Sequence, residues 1–196
     1  MAPPAEPRDA HPWWRQPWLT VLLVLLLTVL ALRIEGRLWW CACRTPTPFS
    51  TKVASSHNSQ HLLDPYSFSH LLHGIIFYWV LRLLLPRARV SMLVLIALLI
   101  EAGWEVLENS PIIIARYRAA TASLGYSGDT IVNSVGDVLS CLLGFFLAQR
   151  IGWLWSIGLF IAIELIMLWL IRDNLTLNVI MLLWPIEAIK RWQGAG

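Results

Sequence analysis

Between Arg15 and Arg33 the chain carries no charged residue, and four more apolar runs follow, near residues 65–85, 90–109, 129–149 and 152–171. A helix rises about 1.5 Å per residue, so about 20 residues cross the roughly 30 Å hydrocarbon core of a bilayer. Runs of this length are not needed for a soluble core. They predict an all-α polytopic membrane helix bundle with five transmembrane helices. A sixth, short or interfacial segment is expected over 174–190.

Composition agrees. The chain is 57% hydrophobic and 14% charged, against about 25% charged for a soluble domain. The net charge is only +3, and the basic residues lie between apolar runs, as loops flanking membrane helices do. Nucleic acid is therefore excluded as a partner, and the lipid bilayer is the expected one. Of the 12 Trp, Trp13, Trp14, Trp18, Trp39, Trp40, Trp153, Trp155, Trp169, Trp184 and Trp192 fall near run ends. Indole rings favour the headgroup region.

Residues 1–15 are Pro-rich and polar and read as a disordered tail, ahead of one helical domain over 16–192. The first run, 16–32, lacks a small-x-small cleavage site and reads as an anchor helix. Asp64-Pro65 starts the second helix, since Asp caps and Pro fits a first turn. Pro86-Arg87-Ala88-Arg89 makes a basic turn to the third helix, which Ser110-Pro111 ends. Residues 111–128 read as a loop. Basic residues are evenly divided between the two sides. The short turn carrying Arg82, Arg87 and Arg89 favours an N-terminus inside.

Acids interrupt the apolar runs. Glu101, Glu105 and Glu108 are spaced by four and three on the third helix. Asp129, Asn133 and Asp137 are spaced by four and four at the start of the fourth. A carboxylate at mid-membrane costs about 2.5–3.5 kcal/mol on insertion scales, so such acids point at each other, at water or at a cation. Glu101 lies about 12 Å below the end of its helix and Asp137 about 12 Å below the start of its own. The two helices run antiparallel, so these carboxylates can meet at similar depth, with Glu105 and Asn133 above them and Glu108 and Asp129 near the surface. Tyr66, His70 and His73 share one face of the second helix. The loops at 33–64 and 111–128 and the segment Arg172-Asp173-Asn174 reach the same side. Glu164 is a lone acid in the fifth helix. It could extend a polar path or pair with a neighbouring helix.

Carboxylates packed together in low dielectric cannot all stay ionised. A divalent metal, an Arg such as Arg116 or Arg118, or a proton must compensate them. The expected catalytic set is His70, His73, Glu101, Glu105, Asp129 and Asp137. Arg116, Arg118, Asn133 and Tyr126 are the candidate substrate-binding residues, because guanidinium suits phosphate or carboxylate. His57-x-x-x-His61 has a spacing compatible with zinc, without the Glu of a zincin motif, and is a candidate metal pair. Cys41 and Cys43 form a C-x-C pair, which by itself lacks the second pair of a four-ligand site. Cys141 reads as a packing residue. The alternatives are a hydrogen-bonded network that fixes helix packing and a proton or substrate relay.

Several strings are distinctive together: Ser56-His-Asn-Ser-Gln-His61, Asp64-Pro-Tyr-Ser-Phe-Ser-His-Leu-Leu-His-Gly74, Ile100-Glu-Ala-Gly-Trp-Glu-Val-Leu-Glu-Asn-Ser-Pro111, Arg116-Tyr-Arg-Ala-Ala, Ser123-Leu-Gly-Tyr-Ser-Gly-Asp129 and Arg172-Asp-Asn-Leu-Thr-Leu-Asn178. They resemble UPF0314, a family of bacterial multi-pass membrane proteins, over roughly residues 35–192. That resemblance implies an inner-membrane location and brings no established activity. The order of a His (His70 or His73), a Glu (Glu101 or Glu105), an Arg (Arg116 or Arg118) and then Asp129, Asn133 or Asp137 is similar, more loosely, to VanZ-like membrane proteins. That likeness implies cell-envelope chemistry. The expected functions are therefore a membrane-embedded enzyme acting on an amphipathic or anionic envelope substrate, an ion or small-solute transporter, or a non-catalytic membrane subunit with a structural polar core.

Overall fold

The structure, a computed structural model, describes residues 17–53, 55–121 and 125–194. The tail expected over 1–15 lies outside the described residues. Those described form seven helices: α1 (Pro17–Ile34), α2 (Ser67–Leu84), α3 (Val90–Glu108), α4 (Pro111–Ala120), α5 (Ile131–Ile171), α6 (Leu175–Leu183) and α7 (Glu187–Gly194). By length and composition α2, α3 and α5 can each cross a membrane, and α1 is a shorter apolar helix.

The 41-residue α5 is broken at Gly152, whose backbone has φ 78° and ψ 177°, a conformation open to glycine and strained for other residues. Its two halves both run along α2. On the way out Phe145 meets Tyr78, and just past the break Trp153 meets Trp79, with ring centroids 5.2 Å apart in each pair. On the way back, Leu159, Phe160 and Ile163 pack around Leu72 and Ile75. Just past the end, Asp173 accepts a hydrogen bond from the Tyr66 hydroxyl at 3.0 Å. The expected boundary between runs 129–149 and 152–171 thus falls at Gly152, where one helix ends and the next turns back.

Close approach of α2 to the outgoing half of α5 rests on glycine. A Cβ at Gly74 would collide with the Cys141 carbonyl, one at Gly144 with the Leu71 carbonyl, and one at Gly136 with the Leu62 carbonyl. Small residues at such crossings let backbones touch, which replaces the hydrophobic drive that helices lack in lipid. α1 leans on α3 and α5 through Val24, Leu98, Ala102 and Val138. A dry layer of Leu81, Leu93, Val94, Ala97 and Phe145 closes the bundle near the α2–α3 turn.

The structure differs from the sequence expectation in the 111–128 loop, whose first part is α4. Ser110-Pro111 ends α3 and also begins α4: the Ser110 hydroxyl accepts from Ile113 N, and Pro111 takes the first helical position, where its missing N–H costs nothing. The 174–190 segment is two short helices, split before Glu187, with α6 only nine residues long.

Candidate functional site

The polar residues of α2, α3 and α5 meet at the end of the bundle opposite the dry layer. Asp64, expected to start α2, lies in the turn ahead of it, and the first helical residue is Ser67. The Asp64 carboxylate accepts from the backbone N–H groups of Tyr66 at 2.7 Å, Ser67 at 3.3 Å and Ser59 at 2.9 Å. That anchoring sets the face on which His70 and His73 project toward α3. His70 Nδ1 lies 2.6 Å from Glu101 Oε1 and 3.3 Å from Glu105 Oε1. His70 Nε2 is 3.9 Å from Asp137 Oδ2. His73 Nδ1 lies 3.0 Å from Glu101 Oε2. The Ser67 hydroxyl donates to Asp137 Oδ1 at 2.6 Å. Glu101 and Asp137, placed at similar depth by helix arithmetic, thus approach the same imidazole.

Only one proton can sit on His70 Nδ1, and the shorter contact directs it at Glu101. Glu105 is left out. It is fully buried, and neither of its carboxylate oxygens has a hydrogen-bond partner. Its 3.3 Å approach to His70 is a proximity of charges without hydrogen-bond alignment. Asn133, equally buried, also has its whole side-chain amide unpartnered. Buried polar groups in native proteins are normally paired, and an unpaired one signals an absent ion, water or ligand, or a working group.

A second layer lies above. Asp129 accepts from the Tyr126 hydroxyl at 2.9 Å and from Asn109 Nδ2 at 3.1 Å, while its own N–H donates to Asn109 Oδ1 at 2.7 Å. Glu108 and Tyr117 stand beside it. Burial raises the Asp129 carboxyl above its ordinary range, against the lowering effect of Tyr126 and Asn109. Burial and the charge of Asp129 push Asp64 up to about 6. The phenols of Tyr117 and Tyr126 are pushed well up by burial and the neighbouring acids, so both remain hydrogen-bond donors. Asp173, raised to about 6 by burial, is held by Tyr66, Asn178 and Gln193.

These layers wall an open cleft of about 90 Å³. Its polar lining includes His70, His73, Glu108, Tyr126, Asp129, Asp137 and Asp173. Trp104, Leu175, Val179 and Leu182 also line it. Glu101, Glu105 and Asn133 stand behind this lining. Two overlapping groups have the spacing to hold a metal ion, His70 with His73 and Glu101, and His70 with Glu105 and Glu108.

The arginines expected to bind substrate sit elsewhere. Arg116 donates to the carbonyls of Leu182 and Leu183, at 2.8 and 3.2 Å, where it satisfies the free carbonyls at the end of α6. Arg118 donates to the Tyr126 carbonyl. Glu164 caps the start of α6, accepting from Leu175 N at 2.9 Å and Thr176 N at 3.2 Å. His57 and His61 lie in the 33–64 loop, outside the cleft lining, where they meet Cys41 and Cys43. Asp64, Asn109 and Asp173 were missed as site residues. Asp64 carried a helix-start signal and Asn109 a helix-end signal, which masked their place in the network.

A family model described as a protein of unknown function (DUF2585) matches residues 17–195. A UPF0314 protein of Sphingopyxis alaskensis is 48% identical over 182 residues, covering 93% of this chain and 97% of that one. The chain belongs to the UPF0314 family. A second member, from Agrobacterium fabrum, is 49% identical over 172 residues, covering 88% of this chain and 87% of its own length. A third, from Paracoccus denitrificans, is 45% identical over 188 residues, covering 96% and 95%. No solved structure matches.

Proposed function

We propose that this chain is a multi-pass inner-membrane enzyme whose His/Glu/Asp cleft acts on an amphipathic envelope substrate. The observation that carries the reading is Glu105, a carboxylate fully buried beside His70 with no hydrogen-bond donor. A packing network has no use for such a group, whereas a base or a metal ligand must be kept free. α1, α2, α3 and the two halves of α5 make five crossings in this reading, and α6 rests at the interface. The cleft then opens on one membrane face. Its apolar lining residues suit a lipid-like portion of a substrate, and its polar ones suit a headgroup.

Charge balance favours a bound divalent cation. Glu101, Glu105, Glu108, Asp129 and Asp137 surround two imidazoles, while Arg116 and Arg118 are engaged on backbone carbonyls. A cation held by His70, His73 and Glu101 would polarise a bound group, leaving Glu105 as the base. Transport is the weaker reading, because the dry layer of Leu81, Leu93, Val94, Ala97 and Phe145 closes the bundle below the acids.

The test is complementation in a bacterium deleted for its own UPF0314 gene, with envelope lipids profiled by mass spectrometry. The deletion and the Glu105→Gln strain should accumulate the same lipid or lipid-linked species, and the wild-type gene should clear it. A Glu105→Gln protein that is present in the membrane and clears it equally well contradicts the reading.

A further inference from the structure

The loop between α1 and α2 contains a second group of chemically capable side chains, and none of its four members lines the cleft. Cys41, Cys43, His57 and His61 bring one ligand atom each to within 4.8 Å of the others. Cys41 Sγ is 3.7 Å from His57 Nδ1, Cys43 Sγ is 4.0 Å from His61 Nε2, and the two imidazole nitrogens are 3.3 Å apart. Ligands at about 2.0–2.3 Å from a tetrahedral zinc ion stand roughly 3.3–3.8 Å from one another. The His–His and Cys41–His57 edges fit that tetrahedron, and the Cys43–His61 edge is slightly long.

Three further observations concern the orientation of these ligands. His61 Nδ1 lies 2.7 Å from the Thr47 carbonyl. A carbonyl only accepts, so Nδ1 carries the proton and Nε2 turns its lone pair toward His57 and Cys43. A metal-bound histidine is fixed in this way by its other nitrogen. The backbone N–H of Cys43 donates to Cys41 Sγ at 3.2 Å, and that of Thr45 to Cys43 Sγ at 3.4 Å, bonds that stabilise thiolate charge. Arg44 between them turns with φ +59°, and its N–H bonds the Cys41 carbonyl at 3.0 Å. Backbone in this sparsely populated region persists only where its surroundings hold it.

The location gives the group a purpose. Ser59, between the two histidines, accepts from Thr130 N at 3.0 Å, and the Gln60 side chain donates to the Gly128 carbonyl at 2.8 Å. Leu38 and Trp39, just before the cysteines, accept from Ile131 N and Val132 N at 2.8 and 3.3 Å. Both ends of the loop thus dock on the start of α5, and Asn58 and Ser59 form part of the cleft lining.

We propose that Cys41, Cys43, His57 and His61 form a four-ligand site for a zinc-class divalent ion, which clips this loop over the cleft mouth. In this structure the two cysteines are joined as a disulfide. The ion requires the dithiol chain: two S–H bonds are exchanged for two metal–thiolate bonds, and two protons are released. A disulfide that closes so short a loop constrains the unfolded chain little, whereas the metal would join segments 14 and more residues apart. The site is structural, with all four positions filled by protein, and is independent of chemistry in the cleft.

The full chain, purified in detergent under a phosphine reductant, is loaded with cobalt(II) and then with zinc. Tetrahedral thiolate coordination gives intense visible bands and a near-ultraviolet charge-transfer band. These are expected at about one ion per chain, displaced by zinc, absent in Cys41→Ser/Cys43→Ser and kept in His73→Ala. In native membranes, the two thiols should resist alkylation until a chelator is added. Wild-type protein that shows no thiolate–cobalt band overturns the proposal, and this readout does not depend on how any variant folds. Thiols in native membranes that are released by reductant and unaffected by chelator also overturn it, in favour of the disulfide.

Discussion

The two ends of one helix bundle are built on opposite terms. Near the α2–α3 turn, Leu81, Leu93, Val94, Ala97 and Phe145 fill the space between α2, α3 and α5 without a polar atom among their side chains. At the other end the same helices meet through His70, Glu101, Glu105 and Asp137. The dry end explains why the bundle holds together, since dispersion and glycine-mediated approach suffice in lipid. The polar end gains nothing for packing that leucines would not supply more cheaply. In the proposed reading, the contrast teaches that the acids serve the chemistry of the cleft while the dry end holds the bundle together.

The largest effect should come from splitting the pairing at the polar end. Glu101→Ala leaves His70 and His73 buried without their acceptor. Removing one member of a buried pair costs about 3–5 kcal/mol, so unfolding in mixed micelles should show a loss of that order. An effect below about 1 kcal/mol would mean that the imidazoles are not charged or not paired.

Next comes the dry interface that supports them. Gly144→Val drives a side chain into the Leu71 carbonyl, and backbone cannot move aside as a flexible side chain can. The expected loss is about 3 kcal/mol or more, with unfolding and function falling together. Glu105→Gln should separate those two readouts, because it removes the acid function without changing shape.

A smaller effect is expected from pH. Burial raises Asp64 and Asp173 to about 6 from an ordinary 3.8. The folded state therefore holds these protons more tightly than the unfolded chain. Their contribution is full below the unfolded value and is lost as pH rises through about 6. The melting temperature should fall between about pH 4 and pH 7, and the slope should flatten in Asp173→Asn. An unchanged slope in that variant would assign the pH dependence to other groups.

Much of this contrast was legible in the residues. The spacing of Glu101 and Asp137 on antiparallel helices predicted a shared depth, and both approach His70. The all-helical architecture followed from the length of the apolar runs. Residues with two possible meanings were harder. Ser110-Pro111 reads equally as an end and a beginning, and it is both. Arg116 and Arg118 read as anion binders by chemistry, yet they hold the carbonyls of Leu182, Leu183 and Tyr126, a role set by tertiary placement. Cys41-x-Cys43 and His57-x-x-x-His61 each looked incomplete, because 13 intervening residues hide that the loop folds them together.

The smallest predicted change in stability is the most direct test. Equilibrium unfolding of Glu105→Gln in mixed micelles, beside wild type, asks whether the unpartnered acid is there for the fold. The account predicts a midpoint equal to or above wild type, since a buried acid without a hydrogen-bond partner is replaced by an amide of the same shape, together with lost complementation. A midpoint lower by about 2 kcal/mol or more, with complementation kept, would contradict it and make the polar end a packing network after all.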